Sequence, residues 1–199
     1  MQTLTCEKVL LELSKLDYSS WPDSIQRICR DDAKALKIER VSAWLYTSTR
    51  EGIACECLYR LSTETFEKGL VLKAGDYPRY FQALEENRTV SAHDARQDPR
   101  TSEFAEGYLK PLQITSMMDV PIRLDGKVIG VLCHEHVGPQ RRWSTSDEEF
   151  ATLIATYASL AYANSERQAA LEEVRQLREQ LGRLNRPPRK ARADRMTIK

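Results

Sequence analysis

The sequence predicts an α+β fold: antiparallel strands with helices packed against them, closed by a long C-terminal helix. Three observations predict it. The runs VSAWLYTST, from Val41, and IACECLYRLST, from Ile53, are rich in β-branched and aromatic residues, which suit a pleated, half-buried surface. A second strand pair, MDVPIRL and KVIGVLCHEHV, flanks Asp125-Gly126, a tight-hairpin signal because glycine tolerates the positive φ that such turns demand. Ser144 to Asp147 then offer side-chain oxygens and acidic charge to the first amides of a long helix. Strand pairs and helices in that order give a sheet covered by helices.

Composition sets the limits. The chain has 199 residues, enough for one ordinary domain with appendages, and 41% of them are hydrophobic against 30% charged. The net charge of +1 makes no case for nucleic acid or an acidic substrate. No apolar run approaches the roughly 18 residues that a membrane-spanning helix needs. The N-terminal stretch MQTLTCEKVLLELSKL carries Glu7 and Glu12 and lacks the basic start of a signal peptide. We therefore expect a cytoplasmic protein whose partners include neither membrane nor nucleic acid. The five cysteines are scattered, which fits reduced thiols better than a disulfide framework.

Leu4, Val9, Leu10, Leu13 and Leu16 recur at helical spacing and predict an amphipathic helix over 4–16. Pro22 disfavours helix at Trp21, and Asp23 or Ser24 can cap a second helix, SIQRICRDDAKALK, with Ile25, Ile28, Ala35 and Leu36 on one side. The two strands from Val41 and Ile53 join through a turn at Glu51-Gly52. Phe66 to Val71 reads as one short strand, Pro78 opens a short helix, and Thr89 to Ala92 reads as another strand. His93 to Gln113 is irregular, with a turn at Asp98-Pro99 and a short helix capped by Ser102 that runs to Tyr108. In the final helix Leu153, Leu160, Arg167, Val174 and Leu181 share one heptad position, and Ala163, Ala170, Leu177 and Leu184 share another. That is a dimer seam with imperfections at Thr156 and Arg167. The tail from 186, with Pro187-Pro188 and a basic excess, should be disordered.

The stretch Asp119-Val120-Pro121-Ile122, Asp125-Gly126, Val128-Ile129-Gly130-Val131-Leu132 and then Phe150 after Asp147-Glu148-Glu149 resembles the most recognisable pattern of the GAF domain. Upstream, Ala92 to Arg96 and Asp98-Pro99-Arg100 resemble the connecting segment of bacterial GAF sensors, as found in histidine kinases and cyclic-di-nucleotide enzymes. The resemblance covers roughly 23–163. It implies a six-stranded antiparallel sheet with helices on both faces, one face forming a pocket closed by Phe66 to Leu112. It divides the chain into an N-terminal helix (1–22), a sensor domain (23–163), a coiled-coil-like extension (164–185) and a basic tail (186–199).

The same resemblance implies a stand-alone sensory or regulatory module that binds a small molecule, dimerises, or does both in signal transduction. Its partners would be a second copy, through the N- and C-terminal helices, and a kinase or other signalling output protein. After Asn185 the chain shows no kinase ATP-binding motif, cyclase motif or helix-turn-helix. Two other readings stand beside it: a structural dimerisation or adaptor module without ligand, and a cysteine-dependent enzyme like the GAF-related methionine sulfoxide reductases. We expect no enzymatic activity, no catalytic residue and no metal, and the sequence names no cofactor.

The candidate ligand-binding residues follow from chemistry suited to a small-molecule pocket, aromatics with a few aimed polar groups. From the irregular segment come Asp94, Phe104 and Tyr108, and from the sheet Trp44, Tyr46, Cys57, Tyr59, Met118, Cys133 and Glu135. Strand alternation places Cys133 and Glu135 on one face and His134 and His136 on the other. By the same rule Cys55 and Cys57 would share a face. Two histidines at that spacing can bind one metal, but His93 is the only further histidine. Chromophore attachment, known from some GAF relatives, would use Cys133 or Cys57.

Overall fold

The computed structural model describes residues 5–184. The tail read as disordered lies outside them, as does Leu4 at the start of the first helix. The chain divides after Ser165 into two compact units. Among the described residues no helix is long and apolar enough to cross a membrane.

The first unit opens with α1 (Cys6–Leu13) and α2 (Trp21–Leu36). Thr5 caps α1, which buries Val9 and Leu13. The start of α2 lies earlier than Pro22 suggests: Ser20 caps it, and Pro22 sits in its first turn, where a missing N–H costs nothing.

Strands β1 (Arg40–Tyr46) and β2 (Gly52–Arg60) form the first antiparallel pair. Gly52 belongs to β2 and not to the turn: it pairs with Lys73, so closely that a Cβ would lie 2.2 Å from the carbonyl oxygen of Leu72. The strand expected over Phe66–Val71 is two: β3 (Thr65–Glu67) and β4 (Val71–Lys73), which pair with different ends of β2. Gly69, with φ +93°, turns the chain between them.

The α3 helix (Pro78–Glu86) and β5 (Val90–Ala92) follow. The long hairpin of β6 (Ile114–Leu124) and β7 (Lys127–Val137) turns at Asp125 and Gly126, both with positive φ as a type I′ turn requires. The seven strands run in the order β3-β2-β1-β7-β6-β5, with β4 beside β3 on the β2 edge.

The last helix, α4, spans Thr145–Leu184. Its start is a reciprocal cap, Ser144 Oγ accepting from the Asp147 N–H (3.2 Å) and Asp147 Oδ2 accepting from the Ser144 N–H (2.9 Å). Through Ser165 it belongs to the first unit and packs Phe150, Ala151, Ile154, Ala158 and Ala161 into the core. In the second unit the described side chains of α4 are exposed, Leu171, Val174, Leu177 and Leu181 among them.

Two apolar layers sandwich the sheet. One joins α1, α2 and α4 to Val41, Ala43, Cys57, Tyr59, Met118, Val120, Ile122 and Leu132. The other joins α3 and the irregular segment to Trp44, Ile53, Cys55, Met117, Val131 and Cys133. Alternation along β1, β6 and β7 explains most of this division. The exception is β2. A bulge shifts the register between Ala43, opposite Cys57, and Trp44, opposite Cys55, and leaves Glu56 as the extra residue. Cys55 and Cys57 therefore lie in opposite layers, which corrects the expectation that they share a face.

Candidate functional site

The second layer encloses a small cavity, lined by Trp44, Ile53, Leu72, Tyr80, Phe104, Tyr108, Met117, Cys133 and Glu135. Strands β1, β6 and β7 supply its floor. Its roof comes from α3 and from the segment Ser102–Leu109. That segment is not the single capped helix the sequence predicts: a 3₁₀ turn (Ser102–Phe104) passes into a π-helical turn (Ala105–Leu109), with Ser102 capping nothing. The Lys110 N–H donates to the Ala105 carbonyl (3.0 Å), the five-residue step of a π turn.

Glu103 ties this segment to α3. Its carboxylate accepts from the N–H groups of Arg79 (3.3 Å) and Tyr80 (3.1 Å), two orphan donors in the first turn of that helix. The ring of Phe104 stacks on Tyr77 at 4.3 Å between centroids and meets Tyr80 edge-on at 4.8 Å. These contacts hold the roof down, and the cavity has a volume of only about 10 Å³. That is room for roughly one water molecule.

Buried polar groups surround the cavity. Arg40 Nε donates to Glu135 Oε2 at 2.6 Å, with the two side chains 4% and 3% exposed. Arg40 Nη2 donates to the Tyr108 hydroxyl at 3.1 Å, and Arg40 Nη1 has no partner. Burial and the Glu135 charge push the Tyr108 phenol well above its ordinary pKa, so it stays neutral. Nearby, the Tyr80 hydroxyl donates to Asp119 Oδ2 at 2.6 Å and lies 3.7 Å from Cys133 Sγ. Burial drives the Asp119 carboxyl up to about 7 against the opposing hydrogen bond from Tyr80, and its Oδ1 has no partner. The Cys133 thiol is raised by burial and then by Asp119, and Cys55 is pushed up to about 12, chiefly by burial. Neither is poised as a thiolate nucleophile.

On the opposite face His134 does different work. Its Nδ1 donates to the Met118 carbonyl (2.7 Å) and its Nε2 to Asp32 Oδ2 (2.8 Å), fastening β7 to α2. Burial alone would depress this imidazole; the Asp32 charge and both hydrogen bonds outweigh it and raise its pKa. Among the described residues no group of three His, Cys, Asp or Glu side chains is placed to hold a metal ion.

Of the residues the sequence singles out, Trp44, Phe104, Tyr108, Cys133 and Glu135 meet around the cavity. Cys57, Tyr59 and Met118 do not; they belong to the layer beneath the sheet. For Tyr59 and Cys57 the cause is the β2 bulge, and for Met118 it is strand alternation. Tyr46 lies at the rim, its ring 6.0 Å from Phe81 and its hydroxyl on Glu85. Asp94 sits outside, accepting from Gln140 and the Arg96 N–H. Sequence reasoning missed Arg40, Tyr80 and Asp119. An acid inside the apolar run MDVPI was the available signal for Asp119.

The family model described as "GAF domain" matches residues 22–162. No curated protein matches the sequence closely enough to count as a relative. Among solved structures, the chain is similar to the GAF domain of an Acinetobacter phosphoenolpyruvate-protein phosphotransferase. The TM-score is 0.64 at 18% identity, over 81% of this chain and 92% of that one. It is similar to the phycoerythrobilin-bound GAF domain of a cyanobacterial phytochrome, with TM-score 0.70 at 18% identity over 84% and 98%. A methyl-accepting chemotaxis protein fragment gives 0.64 at 19% identity over 82% and 98%.

Proposed function

The chain belongs to the GAF domain family, and from that premise we propose that it is a regulatory module of signal transduction, working as a homodimer paired through α4. The signalling role is supported by the company the fold keeps, a chemotaxis protein and a phytochrome among its structural neighbours. The dimer rests on one observation. Val174 and Leu181, seven residues apart in the second unit, are 45% and 59% exposed, as are Leu171 and Leu177 at 54% and 51%. Apolar side chains left that far uncovered along one helix favour a partner that removes them from water. Covering each such side chain is worth about 1.5–3 kcal/mol, which a parallel copy of the same heptad supplies. A kinase or other output protein would read the state of that helix pair.

The volume of the sheet cavity favours the reading in which the module acts without a resident small molecule in this conformation. A bilin of the kind held by the phytochrome neighbour does not fit it as packed. A cysteine-based reductase is less well supported, because burial raises the pKa of Cys133 at the cavity and of Cys55 in the same layer.

Oxidative cross-linking of Val174→Cys tests the dimer. In a parallel coil this heptad position faces its own copy, so the variant should form a disulfide-linked dimer under mild oxidation. Glu179→Cys, on the outer face of the heptad, should not. Equal yields from the two variants would reject the α4 pairing.

A further inference from the structure

The roof of the cavity contains its own stopper. Tyr108 is the one member of the π-helical turn whose side chain reaches the buried Arg40–Glu135 pair. Its neighbours Phe104 and Leu109 are buried anchors, whereas Glu106 and Gly107 just before it are exposed, with open space around Gly107. Tyr108 itself is only partly buried. A π turn carries an inserted residue and is a local irregularity in helical geometry. Displacement of Tyr108 outward would need only this half-buried side chain to turn between the two buried anchors. Its departure would leave a phenol-sized space against Phe104, whose ring lies 6.2 Å away, and free the second of two N–H groups on a buried guanidinium.

We propose that the cavity is a site for a small neutral hydroxyaromatic molecule, which binds by displacing Tyr108. The side chain is the template for its ligand: an aromatic ring against Phe104, Tyr80 and Trp44, and a hydroxyl oxygen accepting from Arg40. Neutrality follows from charge. Glu135 already balances Arg40 at 2.6 Å, so an added anion would meet that carboxylate with no second cation among the residues lining the cavity to offset it. This inference rests on the cavity and not on the α4 dimer, so either can fail alone.

The probe is 4-methylphenol, the side chain of tyrosine as a free molecule, with toluene as its hydroxyl-free counterpart. Both are titrated into the full-length wild type, Tyr108→Ala and Tyr108→Phe, with binding followed by thermal shift and isothermal calorimetry. Tyr108→Ala should bind 4-methylphenol about tenfold more tightly than wild type, because the stopper no longer competes for the space. Toluene should bind at least about tenfold more weakly than 4-methylphenol, for want of the acceptor that Arg40 requires. Tyr108→Phe keeps the ring but loses its hold on Arg40, and should bind 4-methylphenol a few-fold more tightly than wild type. It carries the test if the alanine variant does not fold. Equal affinity of wild type and both variants would overturn the displacement, and equal affinity for toluene would overturn the role of Arg40. Absence of binding to a folded Tyr108→Ala would overturn the site itself. Cross-linking through residue 174 is indifferent to all of these outcomes.

Discussion

Removing the buried Asp119 carboxylate should stabilise the protein, and more so the higher the pH. Asp119 is fully buried between β5 and β7, with one oxygen held by Tyr80 and the other unpartnered. Burial raises its pKa from 3.8 to about 7, while the unfolded chain keeps the ordinary value. Between those two values the unfolded state has released a proton that the native state retains. The unfolded state then binds fewer protons, so stability falls as pH rises, by about 1.4 kcal/mol per pH unit. Over about three units this amounts to at most roughly 4 kcal/mol, complete once the pH exceeds the folded pKa. Asp119→Asn is close to isosteric, leaves an oxygen for the Tyr80 hydroxyl and does not titrate. Urea unfolding followed by the fluorescence of the buried Trp21, Trp44 and Trp143 would measure both proteins at pH 5 and pH 8. The variant should exceed the wild type by no more than about 2 kcal/mol at pH 5. At pH 8 it should exceed the wild type by several, a midpoint shift of about 1–2 M urea. Other titrating groups cancel in the comparison. A difference between the two proteins that is the same at both pH values would refute the reasoning.

Two further substitutions probe the sheet and its buried charges. Arg40→Met leaves Glu135 buried without its cation and should cost about 3–5 kcal/mol, read as a lower urea midpoint; the double change with Glu135→Met should recover most of that loss. Gly130→Ala would place a Cβ 2.0 Å from the Trp44 carbonyl oxygen, a backbone atom that cannot turn aside, and so force β1 and β7 apart. It should unfold at a temperature lower by at least about 8 °C, from a loss of about 3 kcal/mol or more; an unchanged midpoint would show that the strands can part at no cost.

The outlines of the fold are legible where local chemistry decides. Asp125-Gly126 fixes the β6–β7 hairpin, Ser144 and Asp147 fix the start of α4, and alternation along β7 separates Cys133 and Glu135 from His134. What the sequence hides depends on partners distant in the chain. The β2 bulge has no glycine or proline to mark it, and it sends Cys57 and Tyr59 to the face opposite the one alternation assigns. The π-helical turn that brings Tyr108 over the cavity has no side-chain signature either. The buried pairings of Arg40 with Glu135 and of Asp32 with His134 are unreadable in the sequence because the partners lie 95 and 102 residues apart. Phe104, Tyr108, Cys133 and Glu135, drawn from stretches where aromatics and polar groups crowd the sequence, come together around the cavity. The aromatic filling that leaves so little room among them is a product of packing, and no local pattern foretells it.

Sedimentation equilibrium of the chain decides whether it pairs through α4. Paired chains should give a mass near twice the 22.9 kDa of one chain at micromolar concentration. Val174→Glu combined with Leu181→Glu, two charges in the heptad seam, should reduce it to a single chain in which the fluorescence of the buried Trp21, Trp44 and Trp143 is unchanged. A wild-type chain that sediments as a monomer, or a dimer that survives both charges, would contradict the account.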